Sequence, residues 1–321
     1  MLKQWIRASL CAMVLTGAAA HADPYPARPV SMVVPYPAGG ATDVVARAVA
    51  EQLTQAWKQP VVVENRAGAG TTIAAAAVAR APGDGYTLFM TTSAHTISGH
   101  LYPQLPYDPV KDFRTITLVT KVPLVLVVNP SVPAATLPEF LDYLKAHGDK
   151  VNFASPGNGT AQHLSGELFK LATQSQIIHV PYRGDAPAFT DLAGGQVQMM
   201  LATITSALPL IKSGKLRALA VAHGKRVPAL AEVPTFAEAG MPGFEAATWF
   251  GLLAPASLPP ELAQRIYQDV ARIVDTPQMR QRIEALGGDV ANSTPQQFAE
   301  FIAAEQQKWG QAVQAAGAAK P

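Results

Sequence analysis

The chain has 321 residues, 49% hydrophobic, 15% charged and 7% aromatic, with 24 Gly and 27 Pro. Its formal net charge is +2, an excess already supplied by Lys3 and Arg7, so the remainder lacks the positive field that nucleic acids and anionic membrane surfaces require. Cys11 is the only cysteine, which leaves everything after it without disulfides, thiol catalysis or thiolate metal sites.

In chain order, the first segment reads as a secretory leader. Lys3 and Arg7 give a basic start, Leu10 to Ala20 an apolar centre shorter than a membrane span, and Ala20-His21-Ala22 a cleavage site. The expected mature chain begins at Asp23, with 1–22 removed. Strand-like runs follow at 30–34, 61–64, 87–91, 115–120, 124–128, 151–154, 177–181, 197–201, 216–222 and 248–253. Helix-like runs fall at 43–57, 71–80, 137–146, 161–172, 186–193, 206–212, 260–274, 277–286 and 295–315. This alternation predicts an α/β fold with parallel sheets. Two strand-like pieces within 113–130, joined through Lys121-Val122-Pro123, are long for one domain and read as a crossing between lobes. A return crossing fits Thr248 to Leu253. The resulting expectation is one lobe of 23–122 and 253–321 and an inserted lobe of 123–252. The cleft then lies outside the carboxyl ends of the strands.

Two glycine-bearing strand-to-helix turns stand at that cleft. In the first, Tyr36-Pro37-Ala38-Gly39-Gly40 precedes Thr42, and Val45, Val49 and Leu53 then recur at helical spacing. The second is Ser155-Pro156-Gly157-Asn158-Gly159-Thr160, with Thr160 a candidate cap for the next helix. A turn of this kind is commonly just a connection. It also presents peptide N–H groups without intrahelical partners at the positive end of a helix dipole, which suits a carboxylate or phosphate. Two such turns face to face suit a molecule with two acidic ends.

A third turn contains Tyr182-Arg183-Gly184-Asp185. Asp185 is the expected N-cap of its helix or, if it faces the cleft, a partner for a ligand ammonium. Arg183 pairs with a ligand carboxylate or remains a solvated surface arginine. Tyr36 and Tyr182 close over a ligand or simply pack. Ser93, His163 and Thr203 complete the candidate set. Neither G-x-S-x-G, H-E-x-x-H nor a Walker sequence occurs, and no histidine pair has metal-ligand spacing, so neither catalysis, a metal nor a cofactor is expected.

Several stretches carry a family resemblance. Pro29-Val30 through Gly40 with Asp43 and Arg47, then Glu64-Asn65-Arg66-Ala67-Gly68-Ala69-Gly70, closely resemble the periplasmic solute-binding proteins of tripartite tricarboxylate transporters, the Bug family. Pro82 to Leu88, Ser155 to His163, Val180 to Gly184, Gly194 to Val197, Ser206 to Pro209 and Trp249-Phe250-Gly251 agree. The resemblance implies a two-lobed Venus-flytrap of the type II periplasmic-binding class, monomeric by default, with no enzymatic activity. It implies a small carboxylate ligand: a di- or tricarboxylate, an acidic amino acid or an aromatic acid. The two turns would grip its carboxylates, and a permease of one large and one small membrane subunit would receive it. One departure is Ala202-Thr203, where many relatives carry an acidic or amide pair. The alternative role is a sensing module that presents the bound carboxylate to a receptor partner.

Overall fold

The computed structural model describes residues 25–102 and 104–318, so the leader expected over 1–22 lies outside the described residues. In order, the elements are β1 (Val30–Val34), α1 (Ala41–Trp57), β2 (Val61–Asn65), α2 (Thr72–Ala79), β3 (Thr87–Thr92), α3 (Ala94–Leu101) and β4 (Phe113–Val128). Then come α4 (Leu137–His147), β5 (Asn152–Ser155), α5 (Ala161–Thr173), β6 (Ile178–Pro181), α6 (Asp185–Ala193), β7 (Met199–Thr203), α7 (Ile204–Lys212) and β8 (Arg217–Val221). The chain closes with β9 (Ala247–Pro255), α8 (Pro260–Val274), α9 (Pro277–Ala285), β10 (Asp289–Val290) and α10 (Pro295–Ala315).

Helix starts follow local chemistry. Thr294 and Gln297 form a reciprocal capping box ahead of α10, satisfying N–H groups that a helix end leaves orphaned. Thr136, Thr160 and Thr276 each accept an N–H of the following first turn. Helices such as α1 lay an apolar stripe on a sheet. On α1 that stripe includes Val45, Val49 and Leu53, which are buried with Val34, Leu88 and Ile266 in one core cluster. A second cluster joins Leu126, Phe140, Phe153, Phe169, Leu201 and Phe236. Burying such a side chain contributes about 1.5–3 kcal/mol.

The sheets are mixed, which corrects the expectation of purely parallel ones. The strand order is β2-β1-β3-β9-β4-β7-β5-β6, with β8 and β10 also paired to β4. Pairs β1–β2, β1–β3, β5–β6 and β5–β7 are parallel, whereas every pair made by β4 or β9 is antiparallel. The pieces expected at 115–120 and 124–128 are one strand of 16 residues. Its first part pairs with β9 up to Pro123↔Ala247, and from Leu124 onward it pairs with β7. The ladder changes partner beside Pro123, a residue with no N–H to give.

The C-terminal helix is tied to β9. Trp249 Nε1 on β9 and Trp309 Nε1 on α10 donate to the same oxygen of buried Glu305, at 3.0 and 2.7 Å. Gly251 admits the Phe298 ring so closely that a Cβ there would lie 2.2 Å from its Cζ. Among the described residues no helix is long and apolar enough to cross a membrane.

Candidate functional site

The first turn is held from beneath by one buried carboxylate. Asp43 accepts from the Gly39 amide, Arg47 Nε and Asn65 Nδ2, each at 2.9 Å. Asn65 Nδ2 also donates to the Tyr36 carbonyl at 2.9 Å. Burial alone would raise the Asp43 pKa, but the bonds from Arg47, Gly39 and Asn65 outweigh it and hold the group below the usual carboxylate range. The Gly39 amide is therefore spoken for. Thr42 and Asp43, as the second and third residues of α1, have N–H groups with no intrahelical acceptor.

The amide of Ala41, the first helical residue, reaches across the cleft. It donates to Asp185 Oδ2 at 3.2 Å, 144 residues away. Asp185 is not the N-cap of α6: Gly184 takes that position at φ +112, and Asp185 opens the helix. A left-handed φ favours glycine at 184, and the geometry turns the next side chain out toward α1. Asp185 Oδ1 is buried without a hydrogen-bond partner. Burial pushes the Asp185 pKa up, and the Ala41 N–H, with a smaller contribution from Ser206, offsets only part of that. Close approach of the two turns needs both glycines. A Cβ on Gly184 would lie 3.0 Å from Pro37 Cδ, and one on Gly40 would lie 3.1 Å from Asp185 Oδ2.

In the second turn, Thr160 Oγ1 accepts from the His163 amide at 3.2 Å and donates to the Gly157 carbonyl at 2.8 Å. Ser155 Oγ lies 2.7 Å from His179 Nε2 and accepts from the Gly157 amide at 3.2 Å. Gly159 stands at φ +76, with a notional Cβ 2.9 Å from Leu101 Cδ2. The Thr160 and Ser155 bonds fix the turn from within, and Leu101 of α3 packs on it from the β3 side.

The turns meet around two adjoining cavities. The inner one, about 20 Å³ at a water-sized probe, is lined on one side by Tyr36, Pro37, Gly40, Ala41, Thr42 and Thr92. Pro156, Gln162, Asp185 and Thr203 line the other side, with Thr248 and Phe250 of β9 also present. Such a volume holds a water molecule. The outer one, about 870 Å³, shares Tyr36, Pro37 and Pro156 and adds Gly157, Asn158, Thr160, Tyr182 and Arg183, with Gly68 to Thr71 and Tyr102 opposite.

Of the candidates from sequence, Tyr36, Pro37, Gly40, Thr42, Asp185 and Thr203 thus border the inner cavity, and Gly157, Asn158, Thr160, Tyr182 and Arg183 the outer. Ala38, Gly39, Ser93, Ser155, Gly159 and His163 line neither. Ser93 Oγ is buried against Thr248 Oγ1 at 2.9 Å, and the His163 ring stacks on His179 with centroids 4.1 Å apart. Tyr182 turns its hydroxyl to Asp191 at 2.7 Å; burial and that carboxylate push its pKa up to about 12. Tyr36 Oη faces Thr92 Oγ1 at 3.3 Å.

Two histidines are held toward the neutral form: burial takes buried His95 down to about 4, and partial burial with neighbouring His163 takes half-buried His179 down to about 3. His95 Nε2 lies 2.7 Å from the Pro109 carbonyl, away from both cavities. Sequence reasoning missed Thr92, Thr248 and Gln162. A polar residue closing an apolar strand marks the first, and a Gln in the first turn of α5 marks the last. Gln162 Nε2 donates to Thr203 Oγ1 at 2.7 Å, so the Thr of Ala202-Thr203 is engaged with a side-chain amide from the neighbouring turn.

Comparison with known proteins gives consistent matches. The model of the tripartite tricarboxylate transporter family receptor matches residues 45–318. Protein BugT of Bordetella pertussis is 39% identical over 299 residues, covering 92% of either chain. Among solved structures, R. palustris Rpa4515 with adipate is 34% identical with a TM-score of 0.89, covering 91% of this chain and 98% of that one. MatC from Rhodopseudomonas palustris with bound malate is 35% identical with a TM-score of 0.85, covering 90% of this chain and all of the other (100%).

Proposed function

This chain belongs to the tripartite tricarboxylate transporter receptor family, and on that premise we propose that it captures a small carboxylate outside the cytoplasm and delivers it to a membrane permease of one large and one small subunit. One carboxylate of the ligand takes the N–H groups of Ala41, Thr42 and Asp43 at the start of α1. Its far end meets the turn at Pro156 to Thr160 as the lobes, 23–122 with 253–321 and 123–252, draw together. Closure follows how much better the ligand binds the closed form than the open one. The solute-binding fold of the family supports a carrier rather than an enzyme.

The observation that carries this reading is the Asp185 carboxylate seated on the Ala41 amide from across the cleft. A carboxylate fits the mouth of α1, and a ligand's carboxylate competes for the same donors. The adipate and malate held by the two R. palustris proteins agree with that chemistry. Neither bond depends on an arginine, because backbone amides and the helix dipole supply the positive field.

The test is a thermal-shift panel of adipate, malate, glutamate and nicotinate against neutral sugars. A ligand at 100 times its Kd adds about 2.7 kcal/mol to the folded state, worth about 4 °C in Tm for a chain of this size. The proposal is rejected by a panel in which sugars raise Tm and no acid does.

A further inference from the structure

Behind the second turn, under α5, three metal-ligating side chains converge outside both cavities. His163 and Glu167 are one helical turn apart on the same face of α5, and His179 enters from β6. One ligand atom from each lies within 4.8 Å of the other two. The two imidazoles stack at 23° with centroids 4.1 Å apart, and Phe153 backs the far face of His179 at 4.8 Å. That arrangement comes from the fold: the parallel register sets Phe153 beside His179, and Gly166 lets α5 settle onto the Phe153 ring.

We propose that His163, Glu167 and His179 form a binding site for a divalent transition metal such as Zn²⁺ or Ni²⁺. Two imidazoles and a carboxylate are a donor set that these ions favour, and three protein ligands leave a fourth position for water. Around a four-coordinate ion with bonds of 2.0–2.2 Å, ligand atoms sit about 3.4 Å apart and the ion lies in the plane of each imidazole, so closing the site draws the three ligand atoms together and turns the two rings out of their stack. An outer partner is already present. Ser155 Oγ holds one nitrogen of His179 at 2.7 Å, the kind of contact that orients a metal-bound histidine and leaves its other nitrogen for the ion. Burial also grades the set, with His163 buried and Glu167 and His179 half-buried, so the ion enters from the Glu167 side.

The site would act on the ligand-facing turn. Ser155 begins that turn, and the Gly159 amide donates to His163 Nδ1 at 3.3 Å. A metal on the other His163 nitrogen moves the ring proton to Nδ1, which ends this bond and shifts the turn. The inference stands apart from the carboxylate reading, since no cavity-lining residue is among the three ligands.

The test is calorimetric titration of the untagged, EDTA-stripped protein with ZnCl₂. One equivalent is expected to bind with micromolar or tighter affinity. Glu167→Gln and His179→Ala are each expected to weaken it at least tenfold, and His223→Ala, half-buried beside Asp289 and away from the three ligands, to leave it unchanged. Should His179→Ala unfold, the conservative Glu167→Gln decides alone. An absent isotherm, one that Glu167→Gln leaves intact, or one that His223→Ala abolishes would overturn the proposal.

Discussion

Replacing Asp185 by Asn tests whether this side chain competes with the ligand. The native carboxylate accepts from the Ala41 amide at 3.2 Å, a charge-assisted bond worth about 1.5–3 kcal/mol, against about 0.5–1.5 for a neutral acceptor. A ligand carboxylate must displace that bond and approach a like charge. Asparagine keeps the shape and gives up about 1–1.5 kcal/mol of the competition. Since 1.4 kcal/mol is a factor of ten, adipate or malate is expected to bind Asp185→Asn about tenfold more tightly by isothermal titration.

The pH dependence carries its own sign. Burial raises the Asp185 pKa, so the group is neutral at low pH and becomes a competitor only as pH climbs through that raised value. The affinity ratio of variant to native protein therefore falls toward one as pH drops through this window, and the ligand's own ionisation cancels from the ratio. Folding stability has a matching trend: a carboxyl with a raised folded pKa opposes folding fully above that value and not at all below its unfolded one. An affinity that changes less than twofold, or falls, refutes the reasoning.

Three further outcomes follow from the geometry. Asp43→Ala frees the Gly39 amide and releases Asn65 and Arg47; denaturant unfolding should show a loss of about 1.5–3 kcal/mol, with at least tenfold weaker ligand binding. Because the folded Asp43 pKa is depressed, its contribution is complete above the ordinary aspartate range and lost as pH falls through the folded value, a slope absent in the variant. Gly184→Ala places a methyl 3.0 Å from Pro37 at φ +112, so small-angle scattering should show less compaction on adding ligand, and affinity should drop about tenfold. Glu305→Ala leaves two buried indole N–H groups unsatisfied at about 1–3 kcal/mol each; urea unfolding should register a loss of about 2–6 kcal/mol, and a change under about 1 kcal/mol would remove Glu305 as the tie between α10 and β9.

Elements were legible where local chemistry agrees with the fold. Val30 to Val34, the Gly39-Gly40 turn and the Val45, Val49, Leu53 stripe announce β1 and α1 unaided. The helix α3 was not visible, because Thr96, Ser98, Gly99 and two histidines are weak helix formers. It is held instead by tertiary contacts, with the His95 ring set edge-on to Phe113 at 4.6 Å and Gly310 of α10 admitting His100. The two-residue strand β10 is too short to leave a periodic signal.

The site divides the same way. Glycine positions mark the turns, but which amides remain open depends on Asp43 and Asp185, and the second arrives from 144 residues away. His179 joins His163 only through the pairing of β5 with β6, which no spacing along the chain reveals.

Beside the point where β4 changes partner, β4 and β9 are bonded to each other from Thr120↔Phe250 to Pro123↔Ala247. At one end that ladder is flanked by β3, which pairs with β9 at Phe250, and by β10, which pairs with β4 at Thr120 and Lys121. A protease that nicks one of these two strands there therefore leaves the chain on either side held by the other.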